Sequence, residues 1–290
     1  MIRILILALA LHAGTMEHTF GGPIVLTDDA ERTVRLMGPA TRVVTLEPFL
    51  TELVFAAGAG PQLVGVATGS YYPFETFAIP KVRSVDSFIF EQHSTMKPDL
   101  VLASIDGLNP DQVERISAMG TSVYVAYARR LDHVPRLLRT IGLLTAKNAE
   151  GAAQEYEETI NRIRAAHRGK AKFPVFVEIR HRPLTTVSAS HFLNDIVDLC
   201  GGQNVFATQT AITPEVLWDQ VYRRTPRAIL GFGSASSMDE FSGNWAVRRQ
   251  LEAVREGRLL LLDTDVIQHP TTRTPGHVAQ VCKLLDTVRP

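Results

Sequence analysis

A change of rhythm in mid-chain restricts the fold most. Between Asn148 and Gly169 the sequence reads NAEGAAQEYEETINRIRAAHRG, with no proline and one interior glycine near its start. Ala152, Tyr156, Ile160 and Ile163 fall on one helical face, and Glu158 and Arg162 stand at an i,i+4 spacing that allows an ion pair. This pattern predicts a long, stiff connecting helix over 148–169 rather than a flexible linker. On both sides of it, short apolar runs alternate with helical stretches. Two similar lobes joined by one helix is the simplest architecture, with a ligand cleft between them.

In the first half, IVLTDDAERTVRL reads as a β-hairpin with its turn at Asp28–Glu31. RVVTL (42–46), LVGVA (63–67), DLVLAS (99–104) and SVYVAY (122–127) read as strands. TELVFAAG reads as a helix with Thr51 as N-cap and Gly58 as terminator, and NPDQVERISAMG as a helix closed by Gly120. After the connecting helix, FPVFVEI, AILGFG and LLLLD are strand candidates, and SHFLNDIVDLCGG and TPGHVAQVCKLLDTV are helix candidates. Strand–helix–strand repeats of this length predict an α/β fold of two Rossmann-like lobes with central parallel sheets. MKPDLVLAS (96–104) and RTPRAILGFG (224–233) echo one another, each with a proline two residues before an apolar strand. The expected division is 1–14 signal peptide, 15–147 N-terminal lobe, 148–169 connecting helix and 170–290 C-terminal lobe.

Charge narrows the partners. Lys+Arg and Asp+Glu each number 30, so the formal net charge is zero, where a nucleic-acid binder would carry a basic excess. After the N-terminus no apolar run reaches the ~18 residues of a spanning helix. MIRILILALALHAG has a minimal basic start, a short apolar stretch and small residues at 13 and 14. It fits a secretory signal, the alternative being a buried first strand. No cysteine lies near it, as a lipid anchor would require. The mature protein is therefore expected to be exported, soluble and monomeric. Its two cysteines, Cys200 and Cys282, would form one disulfide in such a compartment or remain two buried thiols.

Catalytic signatures are missing. The sequence has no phosphate-binding G-x-x-x-x-G-K-[ST], no dinucleotide fingerprint after the first strand, no G-x-S-x-G elbow, and no His or Cys spacing for a protein-only metal site. A binding protein with no intrinsic cofactor is favoured over an enzyme. Candidate ligand-binding residues follow the strands, because ligands of open α/β sheets gather at strand carboxyl ends. Phe49, in LEPFLTEL, either faces the cleft or packs in the core. Tyr71 and Tyr72, in GSYYPFE, and Phe88, in DSFIFE, either stack on a bulky ligand or pack their own loops. Trp245, Gln268 and His269 are candidates for the opposite wall.

The order of these segments resembles a known family. RVVTLEPFLTELVFAAGAG, LVGVATGSYYP, IPKV and MKPDLVLAS are similar to the first lobe of the helical-backbone periplasmic binding proteins of ABC importers for vitamin B12, iron–siderophores and haem. The likeness covers nearly the whole mature chain and is strongest for the vitamin B12 binders. DLCGGQNVF and VAQVCKLLD resemble the surroundings of two bridged cysteines there, which implies a Cys200–Cys282 disulfide. The resemblance implies a cobalt corrinoid or iron chelate as transported ligand, and a membrane permease with its ATPase as partner. Glu91, in FIFEQ, and Asp219, in LWDQV, match the acids that dock on permease arginines, or are ordinary surface acids. The pocket departs from the family. The tryptophans of the B12 binders fall near Val85, Ser104, Thr213 and Val266, their tyrosine falls on Gly69, and the iron-ligating tyrosine of haem binders falls near Ser84. Any aromatic wall must be rebuilt from Phe49, Tyr71, Phe88 and Trp245.

VEIRHRPL (177–184) opens the second lobe. Strand alternation would send Arg180 and Arg182 one way and His181 the other. The arginines either address an anionic ligand, through donor forks suited to carboxylate or catecholate oxygens, or form a solvated strand exit. His181 could donate to a ligand or reach a metal. Two further classes stay open: a sensor or scaffold that keeps the fold without transport, and an enzyme such as a metallocluster protein, for which two cysteines are too few.

Overall fold

The computed structural model describes residues 22–264 and 270–290. The expected signal segment 1–14 and the candidates Gln268 and His269 lie outside the described residues. The strands are β1 (Ile24–Thr27), β2 (Thr33–Leu36), β3 (Val43–Thr45), β4 (Leu63–Ala67), β5 (Lys81–Val82), β6 (Leu100–Ser104), β7 (Ser122–Ala126), β8 (Phe173–Val177), β9 (Gly202–Asn204), β10 (Ala228–Phe232) and β11 (Leu259–Leu262). They form two parallel sheets, ordered β5-β4-β3-β6-β7 and β11-β10-β8-β9, plus the antiparallel hairpin β1-β2. The five-stranded sheet precedes the connecting helix and the four-stranded sheet follows it, so the chain is an α/β protein of two lobes.

The hairpin is bolted to the first lobe through its turn. The buried Asp28 carboxylate accepts from the N–H groups of Ala30, Arg32 and Val125, and Asp29 pairs with Arg136 at 2.6 Å. The connecting helix is Glu150–His167. It buries Ala153, Tyr156 and Ile160, with Ala152 and Ile163 partly buried beside them, on the face its periodicity predicts. The Arg162 guanidinium donates to Thr159 Oγ1 at 2.9 Å rather than pairing with Glu158. That face belongs to a single apolar core that contains Leu53 and Leu138 from before the helix and Phe173, Val278 and Leu285 from after it.

Local chemistry sets the helix ends. The first helix is Pro48–Ala56, with Glu47 at its N-cap and Pro48 in its first turn, where a proline loses no hydrogen bond. Thr51 is therefore not the cap that the sequence pattern predicts. It is buried inside the first turns, and its hydroxyl is used elsewhere. The Pro110–Ala118 helix closes a capping box between Asn109 and Gln112 and ends before Gly120, whose φ of +85° suits glycine. Helices His133–Thr145, Trp218–Arg224 and Met238–Ala246 and the short strands β5 and β9 add to the elements read from the sequence.

Cys200 follows the Phe192–Leu199 helix and Cys282 lies in the Thr274–Thr287 helix; the two are bridged with a Cα–Cα separation of 4.7 Å. The bridge closes a loop of sequence separation 82, which the chain-entropy model values at roughly 4–5 kcal/mol. Replacing both cysteines with alanine should lower the unfolding free energy by about that amount in equilibrium urea titrations, with the denaturation midpoint moving down accordingly.

Candidate functional site

The carboxyl ends of the two parallel sheets supply the two walls of the site. In the first wall, the loop after β4 begins at Gly69, whose φ is +94°. An L side chain is strained there, and the loop's aromatics come after it, at Tyr71, Tyr72, Phe74 and Phe77. All four are more than half exposed. Phe77 stands 5.5 Å from Phe74 and 6.2 Å from Tyr71 between ring centroids.

Polar ties hold this apolar platform from beneath. Thr51 Oγ1 lies 2.7 Å from Thr45 Oγ1 and 3.0 Å from Ser70 Oγ, a buried hydroxyl chain joining the end of β3, the first helix and the aromatic loop. Lys81, in β5, donates to the carbonyls of Ser70 and Thr76 at 2.9 and 2.8 Å, and its ammonium lies 5.8 Å from the Phe77 ring centroid. A loop fixed in this way offers aromatic surface at reduced ordering cost.

The walls meet at an ion pair. Glu52, buried in the Pro48–Ala56 helix, accepts two hydrogen bonds from Arg273, at 3.0 Å to Nε and 2.7 Å to Nη2. Arg273 stands just before the Thr274–Thr287 helix of the second lobe, and its guanidinium also lies 4.9 Å from the Tyr72 ring centroid. The bidentate fork fixes the relative orientation of the two helices as well as joining them.

The second wall starts at VEIRHRPL. β8 ends at Val177, and Glu178 turns inward, with its side chain 7% exposed. Trp245 Nε1 donates to Glu178 Oε2 at 2.7 Å, and His181 Nδ1 lies 3.1 Å from Oε1. Trp245 packs edge-on against Trp218, Phe176 and His181, while the Arg248 guanidinium lies 3.3 Å from the Trp218 ring centroid. A pocket of about 230 Å³ opens beside Glu178 and His181, lined also by Phe232, Ser237, Glu240 and Asn244. Burial pushes Glu178 up to about 7 against the stabilising Trp245 hydrogen bond, and burial together with the Arg248 and Arg182 charges pushes His181 down. Burial thus disfavours the charged form of both groups.

The structure sorts the candidate residues by burial. Phe49, Phe88 and Trp245 are 4%, 0% and 0% exposed. Phe49 packs in the common core, Phe88 lies under its own helical turn against His93, and Trp245 serves as the hydrogen-bonding floor of the second wall. None of the three offers a ring face to the cleft, because each is consumed by packing. Tyr71 and Tyr72 are exposed on the first wall, and Arg180 and Arg182 on the second. Arg180 reaches Thr185 Oγ1 at 3.2 Å and Glu215 at 3.4 Å, so part of its charge is already answered. Glu91 and Asp219 are exposed on their respective lobes, each beside an arginine. Among the described residues no group of three or more His, Cys, Asp or Glu could hold a metal ion.

The sequence reading passed over Phe77, Lys81, Glu52, Glu178, Arg248 and Arg273. Two of these had a signal. Glu52 and Glu178 are lone carboxylates inside apolar runs, and a buried charge demands a partner.

Glu178 gives the second wall a pH signature. Its folded pKa lies above the unfolded value of 4.5, so its contribution to stability is complete below about pH 4.5 and is lost as pH rises to about 7. At ~1.4 kcal/mol per unit the loss is on the order of 3 kcal/mol. In Glu178→Gln the amide oxygen can accept from Trp245 and the amide nitrogen can donate to His181. Urea denaturation between pH 5 and pH 7.5 should therefore show the variant gaining on the wild type by up to that amount as pH rises. A constant difference across the range would overturn the assignment.

Comparison with known proteins agrees with the two-lobed fold. The sequence profile described as periplasmic binding protein matches residues 43–266. The vitamin B12-binding protein of Vibrio parahaemolyticus is 28% identical over 253 residues, covering 87% of this chain and 91% of that protein. The protein of the same name from Pectobacterium carotovorum is 31% identical over 248 residues, covering 81% and 90%. The crystal structure of the periplasmic vitamin B12 binding protein BtuF of Vibrio cholerae superposes with a TM-score of 0.77 at 27% identity, covering 86% of this chain and 98% of that one. A profile match across more than half the chain, near-full-length relatives and a shared two-lobed fold lead to one conclusion: this chain belongs to the periplasmic binding protein family and is a substrate-binding protein, not an enzyme.

Proposed function

We propose that this chain is the exported substrate-binding component of an ABC importer, which captures a corrinoid or related metal chelate between its lobes and delivers it to a membrane permease. The observation that carries the reading is the aromatic platform of Tyr71, Tyr72, Phe74 and Phe77, exposed and held by Lys81, in a chain whose relatives are named vitamin B12-binding proteins. A macrocycle offers broad apolar faces, which exposed rings can cover. The mechanism is binding without chemistry: the ligand enters the cleft, and the acids Glu91 and Asp219 orient the complex on arginines of the permease, with the lobes contributing steering more than raw affinity.

A second reading keeps the fold and changes the ligand. The exposed Arg180 and Arg182 at the second wall favour a more anionic cargo, such as a ferric siderophore. Tyr71, 67% exposed, gives haem binding a phenol in place of the tyrosine missing near Ser84.

Absorbance and calorimetric titrations with cobalamin, cobinamide, haemin and ferric siderophores separate these cargoes. Saturable 1:1 binding of a corrinoid supports the first reading, and failure to bind any of the four would sink the chelate assignment. Substituting alanine at both Arg180 and Arg182 should weaken an anionic chelate by about 10-fold or more, since a charge-assisted contact is worth roughly 1.5–3 kcal/mol. A neutral cobalamin should be nearly unaffected by the same change. Replacing Tyr71 and Phe77 together should reduce corrinoid affinity with little change in thermal stability, because both rings are largely in water.

A further inference from the structure

The two lobes carry one unit twice. In the first lobe a helical stretch ends at Met96 and is followed by Lys97 at φ +45°, Pro98 and then β6 from Leu100. In the second, the Trp218–Arg224 helix is followed by Thr225 at φ +42°, Pro226 and then β10 from Ala228. Glu91 precedes the first residue of β6 by nine positions, and Asp219 precedes the first residue of β10 by nine. Phe88 and Val216, both buried, each stand twelve positions ahead of the same strands. The two acids thus occupy equivalent places in equivalent units.

Each acid already has a partner on its own lobe. Glu91 pairs with Arg83, and Asp219 pairs with Arg223 at 2.5 Å. All four side chains are at least 60% exposed. If a partner's arginine takes over such a carboxylate, one solvated ion pair is exchanged for another. The exchange gives register and steering, with little net affinity. Residence on a partner must then come from apolar surface removed from water near the acids. Each unit supplies it: Phe90, 71% exposed, directly precedes Glu91, and Leu217, 70% exposed, stands two residues before Asp219. Leu217 is also held in place, since its N–H donates to Gln220 Oε1 at 2.9 Å at the helix start. Isolated exposed apolar residues are ordinary, but here one lies within two residues of the acid in each unit, although the two are offset by one position, ten before β6 and eleven before β10.

We infer that Phe90 and Leu217 are the apolar anchors of the docking face and seat in sockets on an arginine-rich protein surface, that of the membrane permease. The inference rests on the docking role proposed for Glu91 and Asp219. The acids set the approach and the register, and the two anchors set the lifetime of the complex.

The test uses the full mature protein and the native permease–ATPase complex in lipid nanodiscs, with association and dissociation followed by interferometry at several salt concentrations. Phe90→Ala and Leu217→Ala should each raise the dissociation rate about 5- to 10-fold, as loss of an anchor worth roughly 1 kcal/mol requires, and leave the salt dependence of association unchanged. Glu91→Gln with Asp219→Asn should slow association and flatten its salt dependence. Wild-type dissociation rates in both alanine variants, with weakened binding in the acid variant, would overturn the anchors and leave the docking role standing. Unchanged binding in all variants, or no binding by the wild type, would overturn the docking role itself. Unaltered circular dichroism and chelate titrations show that each variant is folded.

Discussion

The geometry of the cleft depends on an apolar core that does not stop at the boundary between the lobes. Tyr156 and Ile160 of the connecting helix share one cluster with Leu53 and Leu138 on one side and Phe173, Val278 and Leu285 on the other. Separating the lobes would expose that surface, at roughly 25 cal/mol for every Å² opened. The Glu52–Arg273 fork adds a directional tie to this non-directional one, because the buried carboxylate has no comparable partner among the described residues while the helices stay packed around it. Both walls of the site are thus mounted on a single stiff body.

The walls differ in chemistry because their strands end differently. β4 runs out into a loop that a positive-φ glycine turns away from the core, so its aromatics face water and must be steadied by hydroxyls and by Lys81. β8 runs out into Glu178, which turns inward and collects Trp245 and His181 around itself. The first wall offers broad, uncharged faces. The second offers a small pocket with a titratable floor and Arg180 in its lining, with the exposed Arg182 following in the turn.

Much of the fold was legible in the sequence because short parallel strands and amphipathic helices carry local signals. The face of the connecting helix, the presence of the hairpin and the parallel strands all followed from periodicity. The site was less legible, because burial of a particular ring is decided by distant segments. Phe49, Phe88 and Trp245 look no different in sequence from Tyr71, yet the first three are enclosed and the last is two-thirds exposed. Tyr72 acquires its neighbour Arg273 from about two hundred residues away, and no local pattern reports such a meeting. The strand ends at Val177, so Arg180, His181 and Arg182 lie in the turn beyond it, and their exposure is set by that turn rather than by strand alternation.

The shared core also bears on how a partner would know that the cargo is aboard. Binding proteins whose lobes swing through large angles announce occupancy by their outline. A body with both lobes sunk in one core resists such swings, so under the proposed docking role the distance between Glu91 and Asp219 would act as a fixed gauge rather than a signal. Discrimination between loaded and unloaded forms must then fall to the cargo's own exposed edge, or to loops around the mouth of the cleft, such as the one that bears Tyr71 and Phe74.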